Sequence, residues 1–353
     1  MNHNFKTLPS LRHLTSPLEV LKTISGLFNS RIFYFSLALK ISLIIFSVPL
    51  IYSQWFLPFE IQGIDNLTLN PWSYHINTSG DPLAFPYGIV MYLIYLPLTS
   101  LAFLLHKITN STYFYHIAFG FTSLIFDYAT LLLIGVLCRK FNPRLLLFTY
   151  WCSPIVIYVL YWHGQLDIIP IFLLVLSLCS LQYKQLIFAG ITLAFAISAK
   201  LSMAAALPFL IVYIYRNQQI RSKLFVFILS VVFSISITFI PFIFDDSFIL
   251  MVLKTPEASK LLSLYISYDS NLRLFILPIV YITILYLIWR LERITLDMFL
   301  MAVGLGFFVI LLLLPPSPGW FFWIIPFLVF YQNKSSTDYL SVSIPFYCFY
   351  LLF

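Results

Sequence analysis

The chain has 353 residues, 61% hydrophobic and 9% charged, with a formal net charge of +7. A soluble domain carries about 25% charged residues, so this composition excludes a water-exposed globule, and the mean hydropathy of +0.95 agrees. The Lys and Arg residues fall in short loops between apolar runs. That is how membrane proteins set their orientation, so the basic balance is not read as a nucleic-acid footprint.

In chain order, residues 1–32 are polar and basic. The first apolar run is longer than the core of a secretory signal, so no cleavable leader is expected. Candidate spans for helices in a bilayer follow at 33–55, 112–137, 145–161, 168–182, 186–198, 201–215, 224–243, 271–289, 297–314, 319–331 and 340–353, of which 186–198 and 201–215 are short and form a hairpin with its tip near Lys200. The alternating apolar and polar strands of a membrane barrel are absent from the sequence. The expected fold is therefore an all-α, polytopic transmembrane bundle of about eleven spans, forming one domain. Residues 1–32 make a cytoplasmic segment, 56–111 an outer loop and 112–353 the helical bundle. Cys138, Cys152, Cys179 and Cys348 lie in or beside apolar segments without paired spacing and read as small core residues.

One further apolar stretch, 86–106, is placed by charge. Lys6, Arg12, Lys22 and Arg31 put the N-terminus in the cytoplasm, and the loop with Glu60, Asp65 and Asp81 then lies outside. The next basic loop holds Arg139, Lys140 and Arg144. It returns to the cytoplasm only if one crossing separates it from Asp81. The stretch 86–106, carrying Pro86 and Pro97, is accordingly expected to lie along the outer interface or to re-enter without crossing. This topology places fourteen Lys/Arg inside and five outside, with Lys40 within the first span.

The polar residues then collect on the outer side. The stretch Gly80-Asp-Pro-Leu-Ala-Phe-Pro-Tyr-Gly88 is dense in Pro and Gly and forms a shaped loop. Asp81 sits at its turn, either capping the following helix or free for chemistry, and Glu60 and Asp65 are solvated loop acids or catalytic ones. The turn Tyr161-Trp-His-Gly-Gln-Leu-Asp167 brings His163, Gln165 and Asp167 within five residues. They satisfy one another or bind sugar hydroxyls and phosphate. Lys200 stands alone in an apolar hairpin, either snorkelling or facing a lipid-linked phosphate. Asp127 lies in mid-span and needs a buried partner, such as His116 or a residue of another helix. The stretch Pro315-Pro-Ser-Pro-Gly-Trp320 forms a stiff turn. His163 with Asp167 is the nearest approach to a metal site and falls short of a ligand cluster. No phosphate-binding Gly-rich loop or nucleophile elbow is present.

At these clusters the chain resembles the polytopic glycosyltransferases of the GT-C superfamily, which use polyprenyl-phosphate sugars. It is similar in layout to dolichyl-phosphate glucosyl- and mannosyltransferases and their bacterial relatives. Asp81 to Tyr87 resembles the family's Tyr-Pro-Pro-like stretch after an acidic first outer loop. Asp127, the turn His163 to Asp167, Lys200 with Pro208, and the Pro315–Trp320 turn follow in the family's order. The usual place of the catalytic carboxylate holds Glu60 or Asp65 in an atypical context. The resemblance implies transfer of a hexose, of mannose or glucose type, from a polyprenyl-phosphate carrier to a glycan, lipid-linked or protein acceptor. Transfer would take place at the outer face, with inversion and no obligatory metal or other cofactor.

In this reading Asp81, Asp65 or Glu60 supplies the base. Lys200 and His163 face the phosphate, Gln165 and Asp167 bind sugar hydroxyls, and Tyr87 and Trp320 complete the substrate site. The rival readings are a lipid-linked oligosaccharide flippase or polymerase, and a non-catalytic membrane subunit. The Ile/Phe/Lys-rich composition leans toward a bacterial inner membrane, with the site facing the periplasm or exterior.

Overall fold

A computed structural model of the chain describes residues 27–28, 30–139, 141–256, 260–269, 272–314, 316–334, 344–348 and 350. Residues 1–26 of the expected cytoplasmic segment, Lys140, Pro315 and most of the expected span 340–353 lie outside these residues. The first helix, α1 (Arg31–Phe46), stops short of its expected end. Pro49 interrupts the run, because the proline ring disfavours helical backbone in the residue before it. The chain resumes through a wide π-type turn, Tyr52–Phe56, into α2 (Leu57–Asp65), followed by the short α3 (Pro71–Asn77).

Then come α4 (Ile89–Thr109) and α5 (Tyr113–Cys138), and a pair of helices, Pro143–Trp151 and Pro154–His163, bent by 43° where Pro154 breaks the run. Helices α6 (Ile168–Gln182) and α7 (Leu186–Ala199) follow. A tight turn, Leu201–Ala206, leads into α8 (Leu207–Arg216), and α9 (Leu224–Phe239) comes next. Helices α10 (Ile276–Arg290) and α11 (Leu296–Leu313), the turn Pro318–Ile324 and α12 (Ile325–Lys334) complete the described bundle.

Four of these segments are long and apolar enough to cross a bilayer: Ile89–Thr109, Tyr113–Cys138, Arg221–Phe239 and Leu296–Leu313. The bent pair makes a fifth if its halves form one span. The other apolar helices are shorter, such as α6 with 15 residues and α7 with 14. A membrane protein rich in transmembrane helix is what the chain builds. Of the about eleven spans expected from hydropathy, the described helices show these four or five.

A second departure is at 271–289, where a two-stranded antiparallel sheet, β1 (Tyr265–Asp269) and β2 (Leu272–Phe275), precedes α10. The β-branched and aromatic residues there satisfy strand pairing, and hydropathy alone does not separate that from helix.

Helix directions follow from the contacts. Phe126 meets Phe172, Cys179 donates to the Leu133 carbonyl and Gln182 to the Val136 carbonyl, each pair 46 residues apart. Helices α5 and α6 therefore run parallel. Helix α7 returns antiparallel to α6, with Ser177 donating to the Ala189 carbonyl at 2.7 Å. At the C-terminal end of α5 and α6 the basic loops collect. Lys184 donates to Gln219, Arg216 to the Leu291 carbonyl, and Lys334 pairs with Asp297.

Helix α4 runs unbroken through Pro97, so that proline does not interrupt it as expected. Its contacts with α5 are at Tyr95 with Phe119 and Ser123 and at His106 with Tyr115, all in the first part of α5. The Gly88 N–H donates to the carbonyl of Ala199, at the end of α7. Both ends of α4 thus lie away from the basic end of the bundle.

Candidate functional site

The site forms where α6 begins and α7 ends, opposite the basic loops. Lys200 ends α7 in an extended conformation, φ −151° and ψ 120°, and the chain restarts as the tight turn 201–206. This break carries the side chain out of the helix register. Its ammonium donates to Oδ1 of Asp167 at 2.5 Å. Asp167 immediately precedes α6 and makes no side-chain capping bond, which leaves both oxygens for the site. Its Oδ2 accepts the indole N–H of Trp323 at 3.1 Å. The carboxylate is fully buried, and the lysine side chain keeps 13% exposure. A buried ion pair holds only if each remaining lone pair is satisfied, and Trp323 supplies that bond.

Aromatic rings wall the ammonium. It sits 5.3 Å from the Tyr87 ring centroid and 5.2 Å from that of Trp323, within cation–π range. Trp320 stacks on Trp323 at 5.0 Å, and Lys260 lies 5.6 Å over Trp320. Gln165 fills the space that Gly319 leaves, since a Cβ on Gly319 would collide with the Gln165 side chain. Of the residues expected at the substrate, Asp167, Lys200, Tyr87, Trp320 and Gln165 are thus brought together. His163 is in the same turn, and its ring stacks at 6.0 Å on Tyr158. Gly164 beside it takes φ +82°, which glycine adopts without strain.

The three acidic candidates part company. Asp81 is exposed; its Oδ1 accepts the Leu83 N–H at 2.8 Å and its carbonyl bonds the His75 ring, so its carboxylate holds a turn. Asp65 forms an exposed pair with Lys107 at 3.3 Å. Glu60, expected as either a solvated loop acid or a catalytic one, is not solvated: it is fully buried, and neither of its oxygens has a hydrogen-bond partner. Burial without a partner holds its carboxyl well above the usual carboxylate range. One helical turn earlier, Phe56 packs on Tyr87 at 5.6 Å, the ring against which Lys200 lies. Glu60 thus stands four residues beyond the ring that packs on Tyr87, and the π-type turn before its helix presents Tyr52 to Ser123.

Sequence reasoning missed Trp323, which was hidden among many aromatic residues and is singled out only by the bond it gives Asp167. Of the two kinds of partner expected for Asp127, it finds the residue of another helix, Lys40, and not His116. Its Oδ2 accepts Lys40 Nζ at 2.7 Å and the Tyr161 hydroxyl at 2.6 Å. Lys40 and Asp127 are both fully buried, and Lys40 Nζ stands 3.3 Å over the Trp151 ring. The only sequence signal was two opposite charges in two apolar runs.

Chemically, the site offers one accessible cation, one carboxylate locked beside it, one buried carboxyl free of partners and an aromatic wall. Among the described residues no group of three His, Cys, Asp or Glu is placed to hold a metal ion. Comparison with protein families, with characterised proteins and with solved structures finds no match to this chain.

Proposed function

We propose that the chain is a membrane glycosyltransferase of GT-C type that moves a hexose from a polyprenyl-phosphate carrier to a hydroxyl acceptor. The observation that carries this reading is the Lys200–Asp167–Trp323 cluster. It holds an ammonium at an aromatic-walled opening, at the end of the bundle opposite the basic loops. The order of the motifs in the sequence supports this reaction class, and the cluster offers residues for its parts.

In this reading the basic end is cytoplasmic, following the positive-inside rule, in a bacterial plasma membrane, and the site opens outward. Helix α4, with both ends on the site side, belongs to the outer half of the bundle. Glu60, once ionised and reached by the acceptor, takes the proton from its hydroxyl. The acceptor oxygen bonds the anomeric carbon from the face opposite the phosphate, and the bond from that carbon to the phosphate oxygen breaks. The lipid phosphate leaves with the bonding electrons, and Lys200 stands to meet its growing charge. Asp167 orients the lysine, and Gln165 meets sugar hydroxyls. The flippase reading is weaker. It needs charged groups lining a path through the bilayer, and the mid-bundle charges Lys40 and Asp127 are sealed and neutralise each other.

The test is turnover of radiolabelled polyprenyl-phosphate mannose and glucose by membranes containing the protein. Lys200→Met and Glu60→Gln are expected to lower the rate by about 100-fold or more, while Asp81→Asn and Asp65→Asn stay within about threefold. If neither lipid-linked sugar is consumed, or if both Lys200→Met and Glu60→Gln keep full activity, the reading fails.

A further inference from the structure

The hairpin β1–β2 is the part of the described chain that fits neither water nor hydrocarbon. Among the described residues its strands pair only with each other, so this two-stranded sheet has two edges and no third strand. Open sheet edges do not occur in the hydrocarbon region, where nothing satisfies them. Yet the hairpin's side chains are apolar and bare: Tyr268 is 81% exposed, Ile266 58%, Leu272 50% and Leu274 44%. Leu261, Leu262 and Leu264, just before it, are exposed as well. An isolated hairpin of this kind is marginal in water.

The adjoining elements decide between the possible coverings. Strand β2 runs without a break into α10, and Leu277 is the one buried residue of that helix. Ile279, Ile282, Tyr286, Leu287 and Trp289 of α10 are exposed, as side chains in contact with lipid are. The hairpin therefore continues a lipid-facing surface and stands at its end. Arg273 lies over the Tyr265 ring at 4.7 Å, and Lys254 is exposed nearby in sequence. Tyrosine and basic side chains are the residues that anchor chains at the headgroup level.

We infer that the hairpin 265–275 is an interfacial anchor. It lies in the boundary between headgroups and acyl chains, its edges hydrated and its apolar side chains in the lipid. The occupant of its exposed surface is the bilayer itself. One consequence concerns the site. Lys260, a few residues before β1, stacks over Trp320, which packs on Trp323 of the Lys200 cluster. The anchor ties the mouth of that cluster to interface depth, where a ligand borne on a lipid arrives by lateral diffusion. The anchor stands whether or not the chain transfers sugar.

The experiment uses the full chain, with Cys348→Ser, in nanodiscs. A fluorophore is placed at Tyr268→Cys, Leu272→Cys or, as a deep reference, Ile282→Cys. Quenching is compared between lipids spin-labelled at the headgroup or shallow acyl carbons and lipids labelled near the chain terminus. The hairpin positions are expected to be quenched at least about twofold more by the shallow label, and Ile282→Cys more by the deep one. Hydrogen exchange of the unsubstituted protein gives a second readout, in which the hairpin amides exchange within minutes and those of α10 do not. Hairpin labels that no spin-labelled lipid quenches, as for a surface in water or under another protein, overturn the inference. So does stronger quenching by the deep label.

Discussion

The buried pair Lys40–Asp127 gives the sharpest quantitative prediction. Both side chains have no solvent exposure, and the 2.7 Å contact joins α1 to α5. The same carboxylate oxygen accepts the Tyr161 hydroxyl, which ties in the turn leading to Asp167. Lys40→Met leaves a carboxylate in an apolar setting with a single remaining donor. Removing one partner of a buried pair costs about 3–5 kcal/mol, and this variant should fall near the top of that range. Asp127→Leu leaves the ammonium over Trp151, 3.3 Å from its centroid. A desolvated cation–π contact is worth about 2 kcal/mol, so this variant should lose only about 2–3 kcal/mol.

The double variant Lys40→Met/Asp127→Leu removes both charges and keeps the volume, so it should return to within about 1–2 kcal/mol of wild type. The coupling in the double-mutant cycle is then several kcal/mol. Reversible unfolding in detergent micelles, or in bicelles by steric trapping, measures all four proteins. If the double variant costs the sum of the two single ones to within about 0.5 kcal/mol, the two charges do not compensate each other and the reasoning is refuted.

Two further predictions rest on other residues. Glu60, buried and unpartnered, keeps its proton in the folded state well above pH 4.5, the ordinary value at which the unfolded chain loses it. Its contribution is therefore fully present below pH 4.5 and is lost as pH rises from there toward the folded value. The stability of Glu60→Gln relative to wild type should rise by up to about 1.4 kcal/mol per pH unit across that window; unfolding midpoints at pH 5, 6, 7 and 8 that stay parallel for the two proteins would falsify it. Gly88→Ala would drive a Cβ into the backbone carbonyl of Ser198, between α4 and the residues leading to Lys200. Backbone cannot give as a flexible side chain does, so a loss of about 1–3 kcal/mol is expected, and thermal unfolding in detergent checks it. An unchanged midpoint would mean that α4 does not dock there.

The reading of composition as a many-helix membrane protein needed no coordinates, because hydropathy and charge scarcity are properties of residues and not of contacts. The same holds for the gathering of Arg216, Lys184 and Lys334 at one end of the bundle: loop charges follow from spacing once the helices alternate. The motifs also singled out Asp167 and Lys200, which stand out in apolar surroundings and which the structure pairs.

What the sequence left open was partnership. Three acids in one loop region look alike on paper, yet Asp81 spends its carboxylate on a turn, Asp65 reaches Lys107 in solvent, and Glu60 is sealed with nothing to bond. Burial and hydrogen bonding are set by helices far apart in the chain, and no local spacing encodes them. The union of Lys40 with Asp127, 87 residues away, and of Asp167 with Trp323, 156 residues away, arises for the same reason. Each lone polar group in an apolar run must find a partner across the bundle, and only the packing decides which one it meets.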